Sequence, residues 1–197
     1  MKIRAAAVAA LTLAAGLVLS ACTSTAPTPS PSVSASPTAS EGAADFNDAD
    51  AMFASMMIPH HEQAIEMADL VLGKEGVDQR VIDLAEAIQA AQRPEIERLQ
   101  GWLADWGVAP GNQSTGHEGH GDGMMSADDM TALQNASGAE ASRLFLEQMI
   151  VHHEGAVDMA QMQVDNGQNP DVIALAQDII DAQTTEIQQM RDLLASL

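Results

Sequence analysis

One helical segment occurs twice in this chain, and that duplication restricts the fold more than any other feature. Met57-Ile58-Pro59-His60-His61-Glu62 is followed 92 residues later by Met149-Ile150-Val151-His152-His153-Glu154. The match extends outward, pairing Phe53 with Phe145, Ala64 with Ala156, Met67 with Met159 and Ala68 with Ala160. A second match follows at an offset of 91, where Ile88 answers Ile179, Gln92 answers Gln183, Glu95 answers Glu186 and Ile96 answers Ile187. Each half is therefore expected to be a helical hairpin. Two such hairpins close into an all-α four-helix bundle.

The periodicity of the folded part is helical, with Ala, Met, Leu, Ile, Gln and Glu at positions that favour helix. Main helices are predicted over about Asp48–Leu72, Asp78–Trp106 and Ala139–Asn166, with a short piece around Asp128–Ala136. The last helix is predicted to start after Asn169-Pro170, a cap followed by proline in the first turn, and to run to the C-terminus. Pro59 lies inside the first helix and predicts a kink or a restart there, because its ring clashes with the preceding turn.

Residues 1–21 read as an export signal: Lys2 and Arg4, an apolar run from Ala5 to Leu19, then Leu19-Ser20-Ala21-Cys22. The last four residues resemble the lipobox of bacterial lipoproteins, which predicts lipidation of Cys22 and attachment to the lipid bilayer outside the cytoplasm. Cys22 is the sole cysteine, so an intramolecular disulfide or a cysteine-rich metal site is excluded. Residues 22–44 are mostly Ser, Thr, Pro and Ala and have little to bury, which predicts a disordered tether. Residues 45–197 form the expected helical domain, interrupted by a His/Met/Gly-rich loop at 107–127. Eight basic residues face 28 acidic ones, a formal net charge of −20. Such a chain has too few cations to neutralise phosphates, which argues against nucleic acid as a partner.

The repeated segment carries the candidate chemistry. Phe53, Met57, His60, Ala64 and Met67 recur at spacings that line one helix face, and Phe145, Met149, His152, Ala156 and Met159 reproduce them. Met52, Met56 and Met162 add thioethers at the edges of these faces. His61 and His153 stand about 100° round from their neighbours, toward another helix or solvent. Thioether and imidazole one turn apart favour copper, Cu(I) above all, and silver by the same softness. Methionine stripes are also ordinary core filler, and buried histidines are often structural. In the loop, His117 and His120 are suited to Cu(II) or zinc, with Met124 and Met125 suited to Cu(I). No Glu-x-x-His, His-Glu-x-x-His, Ser-His-Asp or glycine-rich phosphate motif is present. Glu95 and Glu186 recur on the partner helices, facing solvent or orienting histidine.

The pattern Phe-x-x-x-Met-Ile-x-His-His-x-x-Ala-x-x-Met-Ala, with Gln-x-x-Glu-Ile on the following helix, resembles the DUF305 family. Trp102-Leu103-x-x-Trp106-Gly107 and the Met124-Met125 pair ahead of the third main helix are similar to it as well. The likeness covers nearly all of residues 46–194. It implies a ferritin-like four-helix domain, commonly exported, in which some members bind copper through Met and His. Carried to this chain, it points to Met57, His60, His61 and Met67, then Met149, His152, His153 and Met159. The expected function is extracytoplasmic copper or silver binding, buffering or transfer, with a copper-handling protein as partner. The alternatives are a structural or interaction module without tight metal binding, and a metal-dependent oxidoreductase.

Overall fold

The computed structural model describes residues 45–109 and 123–197. They form five helices: α1 (Asp48–Leu72), α2 (Gln79–Asp105), α3 (Ala127–Asn135), α4 (Gly138–Asn166) and α5 (Pro170–Ser196). Cys22, the signal and tether segments, and His117 and His120 lie outside the described residues.

The helix starts follow from their caps. Asn47 accepts from the Asp50 amide while Asp50 accepts from the Asn47 amide, a reciprocal box that opens α1. Ser126 and Asp129 do the same for α3, and Asp78 caps α2 through the Arg80 amide. Asn169 accepts from the amides of Asp171 and Val172, with Pro170 in the first turn of α5. α1 does not restart at Pro59 but continues through it to Leu72. Pro59 is exposed, as is Pro94 inside α2, so both rings lie on solvent faces and neither disturbs core packing.

Hairpin α1/α2 and hairpin α4/α5 meet mainly through α1 and α4, and α3 bridges these two helices. Two apolar clusters fix the directions. Phe53, Ala54, Met57 and Ile58 of α1 pack with Ala156, Met159 and Ala160 of α4 in one. Ala64, Met67, Ala68 and Val71 pack with Phe145, Leu146 and Met149 in the other, so α1 and α4 run antiparallel. α2 and α5 divide in the same way: Ile96, Leu99 and Leu103 join Val172, Leu175 and Ile179, while Val81, Leu84 and Ile88 join Ile187 and Met190. Burying each of these large side chains stabilises the fold by roughly 1.5–3 kcal/mol before entropy is counted.

Two polar devices tie chain segments onto the bundle, one at its end and one near its middle. Asp50 is fully buried and accepts from Gln163 Nε2 at 2.6 Å and from the backbone amides of Gln168 and Asn169 at 3.1–3.2 Å. It thereby joins the start of α1 to the α4–α5 turn. Gly123, at φ +78°, carries the chain across α4, where an added Cβ would stand 2.6 Å from the Val151 carbonyl oxygen. Beyond it, Met125 is fixed to α1 by a two-way bond with the Gln63 amide, donating to Oε1 at 2.7 Å and accepting from Nε2 at 2.9 Å. Trp102 and Trp106 close the far end of α2, stacked with each other and with Phe46, and Arg98 lies 5.3 Å from the Trp102 ring centroid.

Candidate metal centre

Between the two apolar clusters lies a polar layer. On α1 it holds His60 and His61, between Met57 and Ala64; on α4 it holds His152 and His153, between Met149 and Ala156. Gln92 sits between Ile88 and Ile96 on α2, and Gln183 between Ile179 and Ile187 on α5. Four imidazoles and two amides thus cross the middle of the bundle. All six side chains are buried, the histidines at 0–1% exposure.

The antiparallel packing brings the two repeats together. The His60 and His152 rings face each other with centroids 3.8 Å apart and planes inclined by 40°. Met57 shares its cluster with Met159, and Met67 shares the other with Met149. The repeated histidines meet at the junction of the halves, with one methionine pair from both halves on either side of them.

His61 and His153 turn toward their hairpin partners. His61 Nε2 lies 2.8 Å from Glu95 Oε2, and His153 Nε2 lies 2.7 Å from Glu186 Oε2. The carboxylates are about one-fifth exposed, so each pair joins a buried ring to the surface. A carboxylate accepts, so in the neutral ring the proton sits on Nε2 and the lone pair is on Nδ1. Nδ1 of both His61 and His153 is buried without a hydrogen-bond partner, and so are both ring nitrogens of His152 and the amide oxygens of Gln92 and Gln183. An unsatisfied buried acceptor costs about 1–3 kcal/mol, so this concentration of them weighs against the stability of the core. Oriented lone pairs of this kind fit a soft cation.

The other sequence candidates divide. Met57, Met67 and Met149 are fully buried and Met159 nearly so. Met124 and Met125 are half-buried where the chain enters α3. Met125, expected in a mobile capture loop, is anchored on α1. Glu62 and Glu154 face solvent, and Glu154 accepts from Arg191 at 2.6 Å. Among the described residues no three His, Asp, Glu or Cys side chains converge as a metal cage. Imidazoles of the polar layer and thioethers of the flanking apolar clusters lie next to one another along α1 and α4.

Burial pushes the His152 imidazole well below its ordinary value of 6.5, and repulsion from His60, His153 and His61 adds to it. The sign follows from which state binds the proton. Below pH 6.5 the unfolded chain protonates this ring while the folded one does not. Stability is therefore full above about pH 6.5 and falls as pH drops, by about 1.4 kcal/mol per unit from this group. Urea denaturation of the metal-free protein at pH 7.5 and 5.5, compared with His152→Leu, isolates the effect. Parallel losses in the two proteins would contradict it.

Comparison with known proteins follows this geometry. The family model described as "Domain of unknown function (DUF305)" matches residues 50–194. The chain belongs to the DUF305 family. A DUF305 fragment from Deinococcus radiodurans is 32% identical, with a TM-score of 0.70 over 77% of this chain and 98% of that one. A DUF305 protein from Streptomyces coelicolor, described as secreted, is 33% identical, with a TM-score of 0.70 over 78% and 94%. CopM in its Cu(II)-bound form is 36% identical, with a TM-score of 0.64 over 75% and 96%; its Cu(I)- and Ag-bound forms are also similar. No curated protein matches the chain. The DUF305 match spans both repeats and takes in the whole histidine layer. No helix among the described residues is long and apolar enough to cross a membrane.

Proposed function

We propose that this DUF305 protein binds Cu(I) or Ag(I) outside the cytoplasm and buffers the ion or hands it on. The observation that carries this reading is the pair of buried Nδ1 lone pairs on His61 and His153, aimed by Glu95 and Glu186 and set beside His60 and His152. Met57, Met67, Met149 and Met159 supply thioethers one or two turns away. A d¹⁰ monovalent ion is satisfied by few soft ligands and no water, which suits a dry layer better than Cu(II) or zinc. The carboxylates compensate its charge through the histidine rings, and their removal is expected to weaken binding about 10–100-fold. CopM, solved with copper and with silver, supports the ion class. The Streptomyces coelicolor relative, described as secreted, supports export, and the lipobox-like Leu19-Ser20-Ala21-Cys22 supports a lipid anchor.

Transfer requires a route for the ion. Pro59 removes the amide that would bond the Ser55 carbonyl, so α1 is weakest in the turn that bears His60. His117 and His120 are proposed as a separate site for Cu(II) or zinc, apart from that route. The test is an anaerobic titration of the full chain in detergent against a competing Cu(I) chelator. Tight uptake of at least one ion is expected. Failure to compete would favour the structural or interaction reading.

A further inference from the structure

Four large apolar side chains stand exposed among the described residues: Met52, Val151, Met162 and Leu197. Two of them, Met52 (46%) and Met162 (57%), line one cavity of about 290 Å³ between the start of α1 and the end of α4. Met56 and Met159 line it too, and the rest of the wall includes Asp48 and Phe53. Met52 and Met56 are one turn apart on α1, and Met159 and Met162 are one turn apart on α4, so each helix presents two thioethers to the same space.

The duplication supplies an internal control. At the offset of 92, Met52, Met56 and Met162 correspond to Leu144, Gln148 and Leu70, while Met159 corresponds to Met67. In that second copy the face is closed. Leu70, Leu144 and Met130 pack against the cluster that contains Leu133 of α3, and Gln148 Nε2 donates to the Asp129 carbonyl at 3.0 Å. One copy of the face is thus leucine-lined and capped by a helix; the other is methionine-lined and, among the described residues, uncovered. Apolar filling alone is met by leucine, as the capped copy demonstrates. Thioether sulfur adds affinity for soft cations.

We propose that Met52, Met56, Met159 and Met162 form a second, solvent-open site for a monovalent soft cation, Cu(I) or Ag(I). It extends the metal-binding reading above and shares Met159 with it, while Met52, Met56 and Met162 belong to the second site alone. Neutral thioethers hold a monovalent ion without burying unpaired charge, and Asp48 at the wall supplies the opposite charge. Met159 belongs to the same core cluster as Met57, which precedes His60 by one turn on α1. The basin is placed to receive an ion from solvent and pass it inward.

The full chain in detergent, with methionine methyls labelled, is titrated with silver nitrate and followed by methyl NMR and by bound stoichiometry. The methyls of Met52, Met56, Met159 and Met162 are expected to shift together. The triple variant Met52→Leu, Met56→Leu, Met162→Leu is expected to lose one silver equivalent. The double variant His60→Ala, His152→Ala is expected to keep these methyl shifts, which separates failure of this site from failure of the histidine layer. Unmoved Met52 and Met162 methyls, or an unchanged stoichiometry in the triple variant, would overturn the proposal. So would methyls that respond to deletion of residues 23–44 but not to silver, since the basin would then seat the chain's own leader.

Discussion

Replacing His60 and His152 together by alanine is expected to lower Cu(I) affinity by about 100-fold or more while the helical signal persists. The two rings meet at 3.8 Å where the halves join, so the double substitution removes one imidazole from each repeat at the point of contact. Loss of an orienting outer partner costs about 10–100-fold in metal affinity, and loss of two direct ligands exceeds that. Glu95→Gln with Glu186→Gln therefore sits between wild type and the double histidine variant. The fold survives because the apolar clusters on either side of the layer are left intact. Circular dichroism checks the fold and chelator competition checks the affinity. An unchanged Cu(I) titration in the folded double variant would remove these histidines from the ligand set.

Asp50→Ala is expected to be among the most destabilising single substitutions, at about 3–5 kcal/mol. The carboxylate is buried, and its acceptance from Gln163 and from the amides of Gln168 and Asn169 is what satisfies those groups. Removing it strands all three donors and also opens the α1 capping box. Asp50→Asn keeps one acceptor oxygen and is expected to lose less. The measurement is the urea midpoint at constant slope, since a changed slope would report a different unfolded or native surface instead. A loss below about 1 kcal/mol would mean that water replaces the carboxylate at the turn.

The helices were legible because their punctuation is local. Asn169-Pro170 and the repeated apolar faces set boundaries within a residue or two of those observed. Of the kink or restart read at Pro59, the restart does not occur, since the helix continues through a ring on its exposed face. The four histidines were legible as a repeated pair, but their meeting was not. A repeat aligns His60 with His152 in sequence and says nothing of the antiparallel approach that sets them face to face. The roles of Glu95 and Glu186 were half legible: their recurrence marked them, and only the hairpin geometry selected His61 and His153 as their partners. Asp50 looked like one more acidic residue in a first helical turn, because its tertiary donors come from 113 to 119 positions away. Met125 read as part of a flexible loop, and the Gln63 amide that holds it lies 62 positions upstream.

The polar layer also works as a keyway. Leucine-, isoleucine- and alanine-lined helices slide past one another at small cost, since one apolar side chain substitutes for the next. Here a slip of a single turn on α2 would set Ile88 or Ile96 at the level of the imidazoles and drive Gln92 into an apolar cluster. The same slip on α5 would displace Gln183 and uncouple His153 from Glu186. The histidine and glutamine rungs thereby specify one axial alignment of all four long helices, and the feature that weakens the core is what makes its assembly unambiguous.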